Sequence, residues 1–146
     1  MLVGVMSKTA AEPVHWRLMF RVANRRAFDR CVSRTLLLLG AGSKLAGRAG
    51  PYWKSPELWE CTVACPPVSG STAEQATHWL RIALELGGAW QIGGSLSHDP
   101  AMLWGVFSVR GNHTHVRGLE WASFDWDDEP RPRKRRVRRS PGGQSR

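Results

Sequence analysis

The segment Val14-His15-Trp16-Arg17-Leu18-Met19-Phe20-Arg21-Val22 alternates between two sets of side chains. Because successive side chains of a strand point to opposite faces, this pattern predicts a β-strand that is buried on one face only. The apolar face would carry Val14, Trp16, Leu18, Phe20 and Val22, and the other face His15, Arg17, Met19 and Arg21. The strand is therefore expected in a sheet that is covered on one side.

Two amphipathic helices are predicted further along the chain. After Asn24, a residue type that caps helix N-termini, apolar side chains recur at helical spacing until Gly40. The second helix is predicted over Thr72–Leu86, where Ser71 and Glu74 have the spacing of a capping box. Each helix has one apolar side, which is expected to pack against the sheet.

Further strands are predicted from short apolar segments between turn residues. These segments are Leu58–Cys65, Ala89–Leu96, Leu103–Arg110 and a last strand Thr114–Trp126 that is broken at Gly118. The intervening Ala41–Pro56 is rich in glycine and proline and predicts a surface loop, with a short extended piece at Tyr52–Lys54.

This order of elements predicts an α+β fold. We expect a two-layer sandwich in which two helices pack on one mainly antiparallel sheet of four to five strands. A ferredoxin-like arrangement is one option, but it needs an additional strand between the second strand and the second helix. Pro66-Pro67 leaves little room for that strand.

The length of 146 residues predicts one domain. The expected divisions are a flexible leader at 1–13, a single α+β domain at 14–129 and a disordered basic tail at 130–146, with Met6 as an alternative start to Met1. No apolar run approaches the roughly 18 residues of a membrane helix and no signal peptide is evident. A cytoplasmic protein without membrane contact is therefore expected.

The three cysteines agree with a reducing compartment. Cys61 and Cys65 would point the same way on one strand, about 13 Å apart. That separation is too large for a shared metal ion or a disulfide. We expect them to be reduced and buried.

Basic residues are concentrated at the C-terminal end. The net charge is +9, yet the first 130 residues carry 13 basic and 12 acidic side chains. The functional interpretation of the tail is non-specific contact with nucleic-acid phosphates; the alternatives are a nuclear import signal and a solvated terminus without a partner. The residues concerned are Arg131, Arg133, Lys134, Arg135, Arg136, Arg138 and Arg139.

No motif in the sequence identifies a reaction. His113 and His115 would share a strand face, but a zinc site would need a further ligand from elsewhere, so two exposed histidines beside a turn are expected. Gly40-Ala41-Gly42 follows a helix, whereas phosphate-binding loops precede one. No Gly-x-Ser-x-Gly is present. We therefore expect no enzyme, no cofactor and no metal.

The segment before the basic tail combines tryptophan with acidic residues. Tryptophan anchors many protein interfaces, and neighbouring charges select the partner. Base stacking is the rival use of exposed tryptophan, and acidic neighbours disfavour it. The sequence therefore predicts a site for a protein partner that consists of Trp121, Asp125, Trp126, Asp127 and Asp128.

Trp90–Leu96, Trp104–Phe107 and Gly118–Ala122 resemble the closing strands of small uncharacterised bacterial α+β proteins, including proteins of the toxin-immunity type. The resemblance extends over residues 14–128 in size, strand order and tryptophan-rich strands. It implies a non-catalytic protein that binds a partner protein through an acidic, aromatic face. No individual functional residue is carried over by it.

Overall fold

The computed structural model describes residues 12–109 and 113–128, which form two helices and one antiparallel sheet of seven strands. The elements are β1 (Val14–Arg21), α1 (Arg25–Leu39), β2 (Lys44–Leu45), β3 (Gly50–Tyr52), β4 (Ser55–Cys65), α2 (Thr72–Leu86), β5 (Trp90–Ser95), β6 (Met102–Ser108) and β7 (Leu119–Asp127). The α+β class is confirmed. The sheet is larger than the four to five strands expected.

Strand β1 lies in the middle of the sheet, whose order is β2-β4-β1-β7-β6-β5, with β3 also paired to β4. The predicted alternation of β1 is confirmed, because Trp16, Leu18 and Phe20 are fully buried whereas Arg17 and Arg21 are exposed. The buried side is the inner face of the sheet, against which both helices place their apolar residues.

The core consists of the inner sheet face and the apolar sides of the helices. The buried helical side chains are Phe28, Cys31, Val32, Thr35 and Leu39 from α1 and Ala76, Trp79, Ile82, Ala83 and Leu86 from α2. Trp16 is central to this cluster: its ring stacks on Phe124 at 4.5 Å and meets Trp90 edge-on at 6.0 Å. The indole Nε1 of Trp90 donates a hydrogen bond of 2.8 Å to the Ala83 carbonyl, which joins β5 to α2.

Both helices begin as predicted. The Asn24 side chain accepts a hydrogen bond from the Ala27 amide at 2.9 Å. The capping box of α2 is complete, because the Ser71 hydroxyl accepts from the Glu74 amide and the Glu74 carboxylate accepts from the Ser71 amide. These contacts satisfy amides that have no partner within the helix.

The segment Ala41–Pro56 differs from the surface loop predicted for it. It contains β2 and β3, which pair successively with β4, and the Ala46 amide donates a hydrogen bond of 2.9 Å to the Thr62 carbonyl. Glycine and proline weaken the local strand signal, while the partner for pairing lies farther along the chain. Three strands, β2, β3 and β4, therefore lie between the helices where a ferredoxin-like order has two, and three strands follow α2 where that order has one.

The last strand begins later than predicted. Gly118 has a φ of +88° and its carbonyl accepts a hydrogen bond of 2.7 Å from the Arg21 amide, so the chain turns there and β7 starts at Leu119. Thr114 forms only an isolated bridge with Gly87.

Neither described helix has the length and hydropathy needed to cross a membrane.

Candidate functional site

The side of the sheet opposite the helices carries a continuous mixed surface that we call the outer sheet face. It is defined by Arg17, Met19, Trp104, Val106, Trp121, Ser123 and Asp125. The register aligns Trp104, Asp125 and His15 in one cross-strand row, and Ser108, Trp121 and Met19 in another. All of these side chains are exposed or half-buried, so no described element covers them.

Trp104 is the most exposed large apolar side chain of the outer sheet face, with 43% of its surface in contact with solvent. Its ring lies on Gly93 of the neighbouring strand, where an added Cβ would be 2.2 Å from the ring atom Cζ2. Glycine therefore provides the space for the indole to lie against β5. The ring is held on one side and open on the other, which suits an anchor for a partner.

Trp121 lies under a charged side chain. The Arg17 guanidinium is 5.8 Å from the centroid of the Trp121 ring, and its Nη2 is 3.0 Å from Glu60 Oε2. The cation–π contact and the ion pair together orient Arg17 across the face. Near the end of β1, Arg21 pairs with Glu120 at 2.6 Å, and this hydrogen bond raises the pKa of Arg21.

The acidic residues at the end of β7 separate into different roles. Asp125 is exposed and lies directly opposite Trp104. Asp127, two positions further on, belongs to the same side of the strand and is half-buried. Asp128 is exposed, but its carboxylate accepts a hydrogen bond from the hydroxyl of Thr72 at the start of α2. Asp128 therefore connects β7 to the helix layer.

The position of Trp126 corrects the predicted site. Its side chain is 4% exposed and belongs to the core, next to Leu103 of β6. Trp121 and Trp126 are five positions apart on one strand, and an odd separation places side chains on opposite faces. The ring of Trp126 is therefore not available to a partner, and Trp104 takes its place on the outer sheet face. The alternation of apolar and other residues along β6 was the sequence signal that Trp104 points away from the core.

The described residues show no reactive cluster. Cys31, Cys61 and Cys65 are free and buried, and desolvation raises the pKa of both Cys61 and Cys65 to about 12. His113 and His115 are exposed on either side of the isolated bridge. Within 12–109 and 113–128, no three histidine, cysteine or acidic side chains are grouped so that they could hold a metal ion.

A second charged surface was not predicted from the sequence. Arg26, Arg30 and Arg34 follow one another at intervals of four on the exposed side of α1. The near balance of charge over the first 130 residues does not show that these arginines lie together on one side of α1. Their spacing of four residues alone indicates a single stripe along the helix. The tail residues from Arg131 to Arg139 lie outside the described residues, as do 1–11.

Comparison of the chain with protein-family models, with curated proteins and with solved structures gives no match. The function is therefore inferred from the residues and their geometry alone.

Proposed function

We propose that this protein is a non-catalytic binding module that recognises another protein through the outer sheet face. The observation that carries the proposal is Trp104, which is held against Gly93 and leaves 43% of its surface open beside the exposed carboxylate of Asp125. A rigid indole loses little conformational freedom on binding, and a neighbouring charge selects the partner.

The composition of the face defines the partner chemistry. Trp104, Val106 and Met19 offer an apolar centre, and Asp125 and Asp127 place negative charge at one end. A complementary protein would insert an apolar side chain and present lysine or arginine to the acids. The acids also disfavour nucleic acid at this surface, since they repel phosphates. A stoichiometric partner such as the toxin of an immunity protein fits this description.

The proposal is tested by affinity capture with the full chain from an extract of cells that express the gene, followed by mass spectrometry. Trp104→Ala combined with Asp125→Lys should lose a protein that the unmodified chain retains. The matched control is Leu84→Ala combined with Glu85→Lys on α2, because Leu84 is 60% exposed and Glu85 is also exposed. Both variants remove one exposed apolar side chain and reverse one acid.

The control should retain the partner, and the captured protein should then bind the purified chain with at least tenfold lower affinity after the outer-face substitutions. Capture that is equal for all three chains would contradict the proposal. Capture that disappears after nuclease treatment would also contradict it, since nucleic acid would then be the bridge.

A further inference from the structure

A pocket of about 460 Å³ lies between the end of β1, the exposed side of α1 and the turn before β7. It is lined by arginines on three sides: Arg30 and Arg34 from α1, Arg117 from the turn, and Arg21 from β1. Cys31 and Gly118 belong to its lining as well. The pocket adjoins α1 and contains none of the residues that define the outer sheet face, although its Arg21 lies on the same side of β1 as Arg17 and Met19.

The turn holds Arg117 against the helix through specific contacts. The Cys31 thiol donates a hydrogen bond of 3.3 Å to the Arg117 carbonyl. Gly118 has a φ of +88°, and a Cβ there would be 3.2 Å from the Arg21 carbonyl oxygen and 3.6 Å from the Cys31 sulfur. A glycine is required for this backbone conformation, so the sequence around Arg117 is adapted to the approach of the turn to α1.

The arginines of the pocket differ in how their charge is balanced. Arg21 is neutralised by Glu120 at 2.6 Å. Arg30, Arg34 and Arg117 are exposed and form no ion pair with a described residue. Burial raises the pKa of Cys31, and Arg34 and Arg30 act against that shift, which agrees with guanidinium groups close to the sulfur. Three positive charges therefore converge on one site without a counterion among the residues that the structure describes.

The charge placement on α1 also opposes helix stability. The first turn contains Arg25 and Arg26 and no acid, although cations are unfavourable near a helix N-terminus. The other helix follows the favourable pattern, with Glu74 in its first turn. Arginine at the start of α1 thus weakens the helix, and an anionic ligand at this surface would offset that cost.

The arginines extend beyond one pocket along a line. Arg26, Arg30 and Arg34 span about 12 Å at the rise of an α-helix, and an adjoining groove is lined by Arg25, Arg26, Arg30 and Arg34. Asp29 also lines that groove and forms no ion pair with a described residue. A row of this length exceeds one phosphate group and suits a ligand with successive phosphates.

We propose that Arg30, Arg34 and Arg117 form a binding site for successive phosphates of a nucleic-acid backbone, with Arg26 extending the path along α1. Guanidinium groups pair with phosphate oxygens in a bidentate manner, which explains the choice of arginine over lysine at this surface. The site shares no residue with the set that defines the outer sheet face.

The test measures the fluorescence anisotropy of a labelled 20-nucleotide single strand with the full chain, over a series of KCl concentrations. Arg30→Gln, Arg34→Gln and Arg117→Gln are combined in one variant. Affinity should fall at least tenfold. The slope of log K against log salt should decrease by about 2, because each phosphate contact on a single strand contributes about 0.7. Circular dichroism and thermal unfolding establish that the variant is folded.

The matched control combines Arg48→Gln, Lys54→Gln and Arg81→Gln, which removes the same charge from exposed positions outside the pocket. A second control replaces the seven basic residues at 131–139 by glutamine. The control triple should change affinity less than threefold. When the three pocket substitutions are added to the tail variant, the slope of log K against log salt should still decrease by about 2. Equal losses in both triple variants would overturn the proposal, as would binding that depends on the tail alone.

Competition distinguishes the ligand classes. Unlabelled single strand should displace the probe, whereas inorganic phosphate and a polyglutamate of equal charge should require concentrations more than a hundredfold higher in charge equivalents. Displacement by inorganic phosphate at concentrations similar to those of the strand would mean that the ligand is a single phosphate group and not a polymer. Similar displacement by polyglutamate would assign the surface to an acidic protein. Either result overturns the proposed ligand.

Discussion

The direction of each tryptophan side chain decides whether it contributes to stability or to recognition. Trp126 and Trp104 lie on adjacent strands, yet the first is 4% and the second 43% exposed. The difference follows from the period of two in a strand, which places one ring among the core residues and the other on the outer sheet face. Substitution of each by alanine should therefore have separate consequences.

Trp126→Ala should lower the free energy of unfolding by about 3–5 kcal/mol, the usual cost of a large cavity in a core. Trp104→Ala should cost roughly half as much, because a large part of its surface is already in water. Chemical denaturation followed by circular dichroism measures both. If Trp126→Ala does not fold, Trp126→Phe should still be less stable than Trp104→Phe. Equal costs for the two rings would contradict this assignment of faces.

Glycines on the strands of the second half of the sheet determine how closely the elements pack. Gly105 of β6 faces Phe124 on β7, and an added Cβ would be 2.4 Å from the ring atom Cε1 of Phe124 and 3.0 Å from Cδ1 of Ile92. A side chain at this position would have to displace a buried ring. Gly50 of β3 has no heavy atom within 4 Å of the corresponding position.

Gly105→Ala should consequently destabilise the fold by about 1–3 kcal/mol, the usual cost of overpacking. Gly50→Ala serves as the control and should change stability by no more than about 0.5 kcal/mol, as is usual for open surface positions. Thermal and urea unfolding of the two variants measure the difference. If Gly105→Ala left the free energy of unfolding unchanged, β6 and β7 could move apart without loss of stability, which would contradict this prediction.

The elements that could be predicted from the sequence are those whose signal is local. The alternation of β1 and the caps at Asn24 and Ser71 depend on neighbouring residues, and the structure confirms them. Strand β2 was not predicted, and β3 only as a short extended piece at Tyr52–Lys54, because both are short and their hydrogen bonds are made with β4.

The candidate sites also contain residues with a local sequence signal and residues whose role depends on contacts between distant elements. Trp104 and the stripe of Arg26, Arg30 and Arg34 are visible as periodicities within single elements. The contribution of Arg117 to the pocket depends on a turn far along the chain that approaches α1, and that of Gly93 depends on the register of β5 against β6. Only the three-dimensional arrangement brings these residues together.

At the scale of the whole molecule, the aromatic core links both halves of the sheet. The Trp16 ring of the central strand β1 has its centroid 6.4 Å from Trp79 of α2, and it contacts Trp90 of β5 and Phe124 of β7. Strand β1 also pairs with β4 on one side and with β7 on the other. Neither half of the sheet can therefore lose its packing without exposing the residues that stabilise the other.

This connection predicts one cooperative unfolding transition. In urea, tryptophan fluorescence, to which the buried rings around Trp16 contribute, should change at the same midpoint as far-ultraviolet circular dichroism, which reports the helices and the sheet. Trp16→Phe should shift both midpoints to lower urea together, because the cavity weakens contacts with both helix and sheet partners. Two separate midpoints in either chain would mean that the strands after α2 unfold independently, and the central position of β1 would then not make the molecule a single cooperative unit.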